Sequence, residues 1–558
     1  MRSMIPLLKR PAEHQRWLDL GCLLLAVLIA TIALFHVRDF YHDDAFITLR
    51  YASRLLSGKG LTWSDGERVE GFTHPLWLGQ IALLGGLGFD LVGATRVLGV
   101  TYLLVLFIIW RRAGAWPLPL LLIASQPGLI LWTLGGLETV SFCTWMILGC
   151  RLGQRVCEYS ADLNPRAQRY GMLLGLALAG AALTRPEGLA TGVITLLVVL
   201  SRRRLRPALT AAAAFILPVC AYLAFRIAYF GDWIPNSARV KIDGIPFITQ
   251  FGFAVHYIRS TALEWLPCVA IGALSILFLP RFRSLWVVSL SVPILVSILF
   301  GGGDHMVGAR LIVPITVLFA YAASINGWPS SRLNRSIISI ALCVGLAWQC
   351  RIDFSRTVTR DDAAAVGEPV GRFFHEHLPP STLVALATAG STPYFAPSLR
   401  FIDTLGLNDR AIASRSSPVI ITRWQAIPGH RKGDGESVLN RQPDIIVLGP
   451  ADGYLGTDPR RWFLSDFELL TSPRFQALYR PYVFLVPVTP QEAAWPAVAQ
   501  RLIPMKRSIA LVAYLHTDSP SAAGFARLGA LLPVPWRDAP APLMDSKSIR
   551  SSLLRNSE

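Results

Sequence analysis

Apolar runs of membrane length recur along most of this chain, and that pattern limits its fold more than any other feature. The first, from about Trp17 to Phe35, follows Arg2, Lys9, Arg10 and Arg16. A charged start of this kind also opens signal peptides, but the length of the run and the further runs behind it favour a retained anchor. Those further runs lie near 96–110, 116–134, 138–153, 170–184, 186–200, 207–230, 262–280, 284–300, 309–327 and 336–350. With the first they make about eleven candidate spans, so the chain reads as a polytopic α-helical membrane protein. Composition agrees: 53% of the 558 residues are hydrophobic and 16% charged, more apolar surface than a soluble core of this length needs.

The formal charge of +17 invites a nucleic-acid reading, but the basic residues sit in short loops between apolar runs. "WRR" at 110–112, "SRRRLR" at 201–206 and "PRFR" at 280–283 are examples. That is the positive-inside pattern, and no nucleic-acid partner is expected. Placing the N-terminus and every Arg-rich loop, including 151–169, on the cytoplasmic side lets the spans alternate without contradiction. The chain then leaves the membrane outside after residue 350. The apolar run Pro75 to Val92 is expected to be re-entrant or half of an irregular pair, because a full crossing there would put the later Arg clusters outside.

Residues 1–350 are therefore expected to form a transmembrane domain whose first outer loop is 36–75, and 351–558 an extracytoplasmic domain. In the latter, "STLVALATAG", "PDIIVLGP" and "YVFLVPV" are short β-rich runs separated by Pro, Gly and Asp, which predicts a small α/β fold. The final "SKSIRSSLLRNSE" reads as a frayed tail. All eight cysteines, Cys22 to Cys350, precede this domain and mostly lie in apolar runs, so no disulfide framework is implied.

Sidedness sorts the chemistry. Asp43, Asp44, Glu138, Arg185, Glu187, Asp232, Asn236, Asp304 and His305 all fall at outer ends of spans, where they are expected to form one polar ring. For "HDDAFITLRYASRLLSGKG" the structural reading is a helix capped by Asp43 or Asp44 and ending near Gly58 or Gly60, with Phe46, Leu49 and Leu56 toward lipid and Arg50 and Arg54 on the polar side. One cap needs one carboxylate. A second beside it suits a group that deprotonates a hydroxyl or stabilises an oxocarbenium-like centre. "GLE" at Glu138 and "TRPEG" at 184–188 also fit helix starts, while the Arg185 guanidinium suits a lipid phosphate. "GGGDHM" is a flexible turn carrying an acid and an imidazole.

There is no H-E-x-x-H, no Cys/His spacing for zinc, and no glycine-rich phosphate cradle for a cytosolic nucleotide. No cofactor is certain; a divalent cation shared among Asp43, Asp44, Glu138 or Asp304 stays open.

The stretch "DDAFITLRYASRLLSGKGLTWSDGERVEGFTHPLW" resembles the first outer loop of the GT-C arabinofuranosyltransferases, most closely the actinobacterial enzymes that add terminal β-1,2-linked arabinofuranose. "GGLETV", "TRPEG", "GDWIPNSARVK", "GGGDHMVGARLIVP", "DTLGLNDRAIA" and "PGHRKG" resemble later blocks in the same order, to about residue 433. The resemblance implies a GT-C fold of about eleven helices with an extracytoplasmic C-terminal domain, in a bacterial inner membrane. It implies a polyprenyl-phosphate-linked sugar donor, D-arabinofuranose in that family, and a cell-surface glycan or glycoprotein acceptor. It makes Asp43 and Asp44 the catalytic pair, with Asp43 slightly favoured because relatives commonly write Asp-Glu with the first member catalytic. Arg185, Arg239, Lys241 and His305 are expected at the donor phosphate. Arg50, Tyr51, Glu70, His74, Glu138, Glu187, Asn236 and Asp304 are expected around the substrates. Where relatives read "TNPLW" this chain has "THPLW", which points His74 at the acceptor side. The rival classes are a lipid-sugar transporter or flippase, which places ionisable groups nearer the midplane, and a membrane-anchored scaffold.

Overall fold

Leu-, Val- and Ala-rich runs with few helix breakers become helices, and the breakers decide where each stops. The structure, a computed structural model, describes residues 13–113, 116–159, 164–242, 245–278, 281–327, 331–349, 360–416, 425, 427–456 and 463–532. The expected domain boundary at 350, the Cys350 thiol, part of the 151–169 loop and the tail lie outside the described residues.

The helices that precede the sheet begin with α1 (Glu13–His36), α2 (Asp43–Leu56), α3 (Pro75–Gly86), α4 (Leu91–Ala113), α5 (Pro119–Ala124), α6 (Pro127–Leu134), α7 (Thr139–Glu158), α8 (Pro165–Thr184) and α9 (Glu187–Ser201). There follow α10 (Leu205–Phe230), α11 (Asn236–Ile242), α12 (Phe247–Ser260), α13 (Ala262–Phe278), α14 (Phe282–Ser289), α15 (Ser291–Gly301), α16 (Val313–Asn326), α17 (Arg332–Gln349) and α18 (Asp362–His377). Among the described residues, four stretches are long and apolar enough to cross a membrane: Asp19–His36, Leu91–Arg112, Leu205–Phe230 and Phe282–Gly301. Two bent pairs, α6 with α7 at 117° and α12 with α13 at 80°, raise this to six if each is one span.

The count falls short of the eleven runs in the sequence for a local reason. The run 116–134 breaks where Gln126 caps α6 and Pro127 takes its first turn. α9 and α16 are apolar but have only 15 and 14 residues. α3 has 12, about 18 Å of helix against a hydrocarbon core of about 30 Å. Small residues set the close packing: a Cβ added at Gly175 of α8 would lie 2.2 Å from the Ala211 carbonyl oxygen of α10.

Residues 383–531 carry a seven-stranded sheet, ordered β2-β1-β3-β6-β4-β7 with β5 beside β6. Its strands are β1 (Leu383–Leu386), β2 (Arg400–Asp403), β3 (Ile445–Ile446), β4 (Tyr479–Pro487), β5 (Leu502–Ile503), β6 (Ser508–His516) and β7 (Ala530–Leu531). β1 runs parallel to β2 and β3, and β6 is antiparallel to β3, β4 and β5. The sheet's core is continuous with α2 and the loop before α3: Ile47 and Tyr51 of α2 and Trp63 and Phe72 of the loop share one buried cluster with Val384, Phe401 and Leu511. That shared cluster fixes α2 between helical bundle and sheet.

Candidate functional site

α2 is not the lipid-facing amphipathic helix that its pattern suggests. Phe46 and Leu49 are fully buried, Phe46 against Tyr394 and Phe395, and only Leu56 of the three is exposed. Its cap is neither aspartate. His42, extended at φ −100° and ψ 147°, accepts the Asp44 N–H at Nδ1 over 3.2 Å. Asp43 and Asp44 follow in the first turn, where acids are favoured by the helix dipole.

The two carboxylates then part company. Asp43 is buried and accepts hydrogen bonds from the Ser391 N–H (2.8 Å), the Ser391 hydroxyl (2.6 Å) and the Gly390 N–H (3.2 Å). Burial pushes its carboxyl up to about 6, against those Ser391 hydrogen bonds and with help from the neighbouring Asp361 and Asp44. Asp44 is half-buried, and among the described residues its carboxylate accepts no hydrogen bond and makes no ion pair. Burial alone would raise it. The imidazoles of His42 and His305, with the Lys241 and Arg310 cations, outweigh that and hold it below the usual carboxylate range.

Around Asp44 the polar groups come from distant parts of the chain. The turn 301–312 enters through Gly302 and Gly303, both left-handed at φ 80° and 83°. Asp304 takes the Arg310 guanidinium at 2.8 and 3.2 Å and the His305 N–H at 2.8 Å. The His305 ring lies 6.1 Å from His42 and 4.9 Å from His430, which stacks on Phe463. Burial and His305 push the His430 imidazole down to about 3, so it is neutral at pH 7, and its Nδ1 is buried without a hydrogen-bond partner. Lys241, near the end of α11, makes no ion pair among the described residues. Arg310 lies over the Trp132 ring.

Behind this group runs a second polar chain. Arg185 binds Glu138 at 2.9 Å and Glu187 at 3.0 Å, and Glu187 also accepts from Ser297. His74 lies 3.4 Å from Glu138 and 2.8 Å from the Thr48 hydroxyl, one turn along α2 from Asp44. Of the expected ring, Asp44, Glu138, Arg185, Glu187, Asp304 and His305 lie in these two polar groups, with His74 and Lys241 beside them, whereas Asp43 is turned to Ser391, Asp232 pairs with Arg239 and Asn236 ties to the Gly406 carbonyl. Arg185, though, is occupied by two carboxylates rather than open to a phosphate, and Arg239 is paired with Asp232.

Four expected substrate residues are placed elsewhere. Arg50 is buried and donates to the Trp63, Pro393 and Leu399 carbonyls, clamping α2 to the sheet domain. The Tyr51 hydroxyl bonds the Val69 carbonyl and Asn408. Glu70 is held by Tyr222 and Arg226 of α10 at 2.6 Å each. Asn236 donates to the Gly406 and Leu407 carbonyls. These are ties between elements.

A cation shared by Asp43, Asp44, Glu138 and Asp304 does not fit: the first is turned to Ser391, the third to Arg185, the fourth to Arg310. Among the described residues no three His, Cys, Asp or Glu side chains are grouped to hold a metal ion. Sequence reasoning missed His42, Arg310, Asp361, Ser391 and His430. His42, Arg310 and His430 lie inside stretches that drew attention for other residues; only spatial proximity singles them out.

Comparisons with known proteins agree with this architecture. A family described as a domain of unknown function, DUF8728, matches residues 356–498. The terminal β-(1→2)-arabinofuranosyltransferase of Mycobacterium tuberculosis is 28% identical over 330 residues, 51% of this chain and 52% of that protein. The protein of the same name from Corynebacterium glutamicum is 26% identical over 370 residues, covering 56% and 52%. The chain therefore spans about half the length of the curated relatives it matches. Among solved structures, ArnT from Cupriavidus metallidurans bound to undecaprenyl phosphate superposes with a TM-score of 0.50 at 13% identity, over 77% of this chain and 93% of that one. The archaeal oligosaccharyltransferase AglB from Archaeoglobus fulgidus, in complex with an inhibitory peptide and a dolichol-phosphate, gives 0.50 at 11%, over 86% and 74%. The chain has the GT-C fold of these membrane glycosyltransferases and is related in sequence to the terminal β-(1→2)-arabinofuranosyltransferases.

Proposed function

We propose that this chain is a membrane glycosyltransferase that moves a pentose, D-arabinofuranose by analogy with its relatives, from a polyprenyl-phosphate donor to a cell-surface glycan or glycoprotein. The reaction takes place at the extracytoplasmic face of a bacterial inner membrane, the side on which the positive-inside pattern leads us to expect residues 351–558. The observation that carries the reading is Asp44: a carboxylate that accepts no hydrogen bond among the described residues, held below the usual carboxylate range among imidazoles and cations beside an apolar bundle. The arabinofuranosyltransferase names of the relatives and the lipid phosphates bound by ArnT and AglB support it.

In the proposed reaction the acceptor hydroxyl oxygen bonds the anomeric carbon as the bond from that carbon to the phosphate oxygen breaks. The phosphate leaves with the electron pair, and the hydroxyl proton passes to Asp44. Lys241 and His305 face the phosphate, with Arg310 adding charge from behind Asp304. Asp43 fixes the first turn of α2 against Ser391. The polar groups cluster at helix ends rather than at mid-span, which favours transfer over transport.

Mass spectrometry of surface glycans from cells with and without the protein tests this. Loss of a terminal pentose is expected. Unchanged glycans overturn the reading, and lipid-linked pentose trapped in the inner leaflet indicates a flippase instead.

A further inference from the structure

Asp361 stands at the cap position of α18, where an aspartate ordinarily accepts an N–H of its own helix. Here it does not. Its carboxylate is turned across to the bundle, 4.0 Å from His42 Nε2, while its backbone N–H bonds the Tyr41 carbonyl at 3.0 Å. His42 is 4% exposed and packed against Trp132, 5.6 Å between rings. Because Nδ1 accepts the Asp44 N–H, a ring proton sits on Nε2, the atom that faces Asp361. The order is carboxylate, imidazole, then the backbone of Asp44.

We propose that Asp361 and His42 form a positioning pair for Asp44, so that the domain carrying the sheet must be docked for the site to work. This rests on the reading of Asp44 given above. Neither residue touches the sugar in this account. Asp361 fixes the ring, and the ring fixes the first turn of α2 and so the direction of the Asp44 carboxylate. Asp43, bonded to Gly390 and Ser391, and Arg50, bonded to the Leu399 carbonyl, make further contacts between the same two parts.

The test uses the full-length purified protein and two conservative variants. His42→Asn keeps an acceptor near the Nδ1 position and is a good helix cap, but loses the Nε2 proton. Asp361→Asn keeps shape and loses charge. Both are expected to melt with the wild type, to keep donor KM within about twofold, and to lose at least about tenfold in kcat, as supporting residues around other sites do. His42→Ala, which removes the cap acceptor, is expected to lose stability as well. Wild-type kcat in both conservative variants overturns the proposal, as does a loss of kcat that only follows a loss of melting temperature. ¹⁵N-histidine NMR is independent of turnover: the His42 signal, identified by its absence in His42→Asn, is expected to show the Nε2–H tautomer and to shift in Asp361→Asn. A His42 signal of the other tautomer, or one unmoved by Asp361→Asn, overturns the pair even if the protein transfers no sugar. Absence of transfer by the wild type, with the NMR result as expected, counts against the functional reading alone.

Discussion

Two adjacent aspartates on one helical turn have opposite surroundings, and the difference can be measured. Asp43 binds its proton more tightly folded than unfolded, since its carboxyl is raised to about 6 from an ordinary value near 4. Through this group alone, stability is therefore highest below about pH 4 and falls as pH rises through about 6. Chemical unfolding of wild type and Asp43→Asn across that window should show the wild type losing up to about 3 kcal/mol relative to the variant. A flat difference would mean that Asp43 titrates normally. The cations divide similarly. Lys241→Gln should weaken a polyprenyl-phosphate analogue roughly tenfold or more, because a charged hydrogen bond contributes about 1.5–3 kcal/mol. Arg185→Gln should act mainly on stability, costing about 3–5 kcal/mol by leaving Glu138 and Glu187 facing each other without their cation. Binding assays and melts on both variants separate the two roles.

At the scale of elements, the junction between α2 and the segment after β1 allows no extra atom. A Cβ added at Gly390 would lie 2.0 Å from the Asp43 carbonyl oxygen and 2.6 Å from its Oδ2. Gly390→Ala should therefore lower the melting temperature by several degrees and abolish transfer, whereas alanine at the open Gly252 should do neither. This junction was the part least legible in the sequence. The apolar runs announce the bundle and the β-rich runs announce strands β1, β3 and β4, because each is a local pattern. The pattern of α2 is local too, but an apolar face looks the same whether it meets lipid or protein, so Phe46 and Leu49 were expected outward. Arg50 reads as polar-faced for the same reason; two of the three carbonyls that hold it lie 343 and 349 residues away. The acidic block was visible as chemistry. Which acid is free depends on Ser391, which no spacing near residue 43 reveals.

The helical bundle meets the sheet domain through α2, through Asn236 of α11 and through the 301–312 turn, and the site lies at that junction. If the Arg-rich loops face the cytoplasm, cysteines introduced in a Cys-free background at 440–450 should react with an impermeant reagent added outside, and those at 201–206 should not. The reverse pattern would invert the chain and put the joint on the wrong side for a surface acceptor. The central claim is that Asp44, not Asp43, is the reacting carboxylate, and one comparison tests it directly. Purified Asp44→Asn and wild type would be matched for melting temperature, then assayed for pentose transfer from a synthetic polyprenyl-phosphate donor. The carboxylate accepts no hydrogen bond among the described residues, so the substitution should leave stability nearly unchanged while kcat falls by about 10²–10⁴ with the loss of the base. Transfer at the wild-type rate by a folded Asp44→Asn protein would contradict the account.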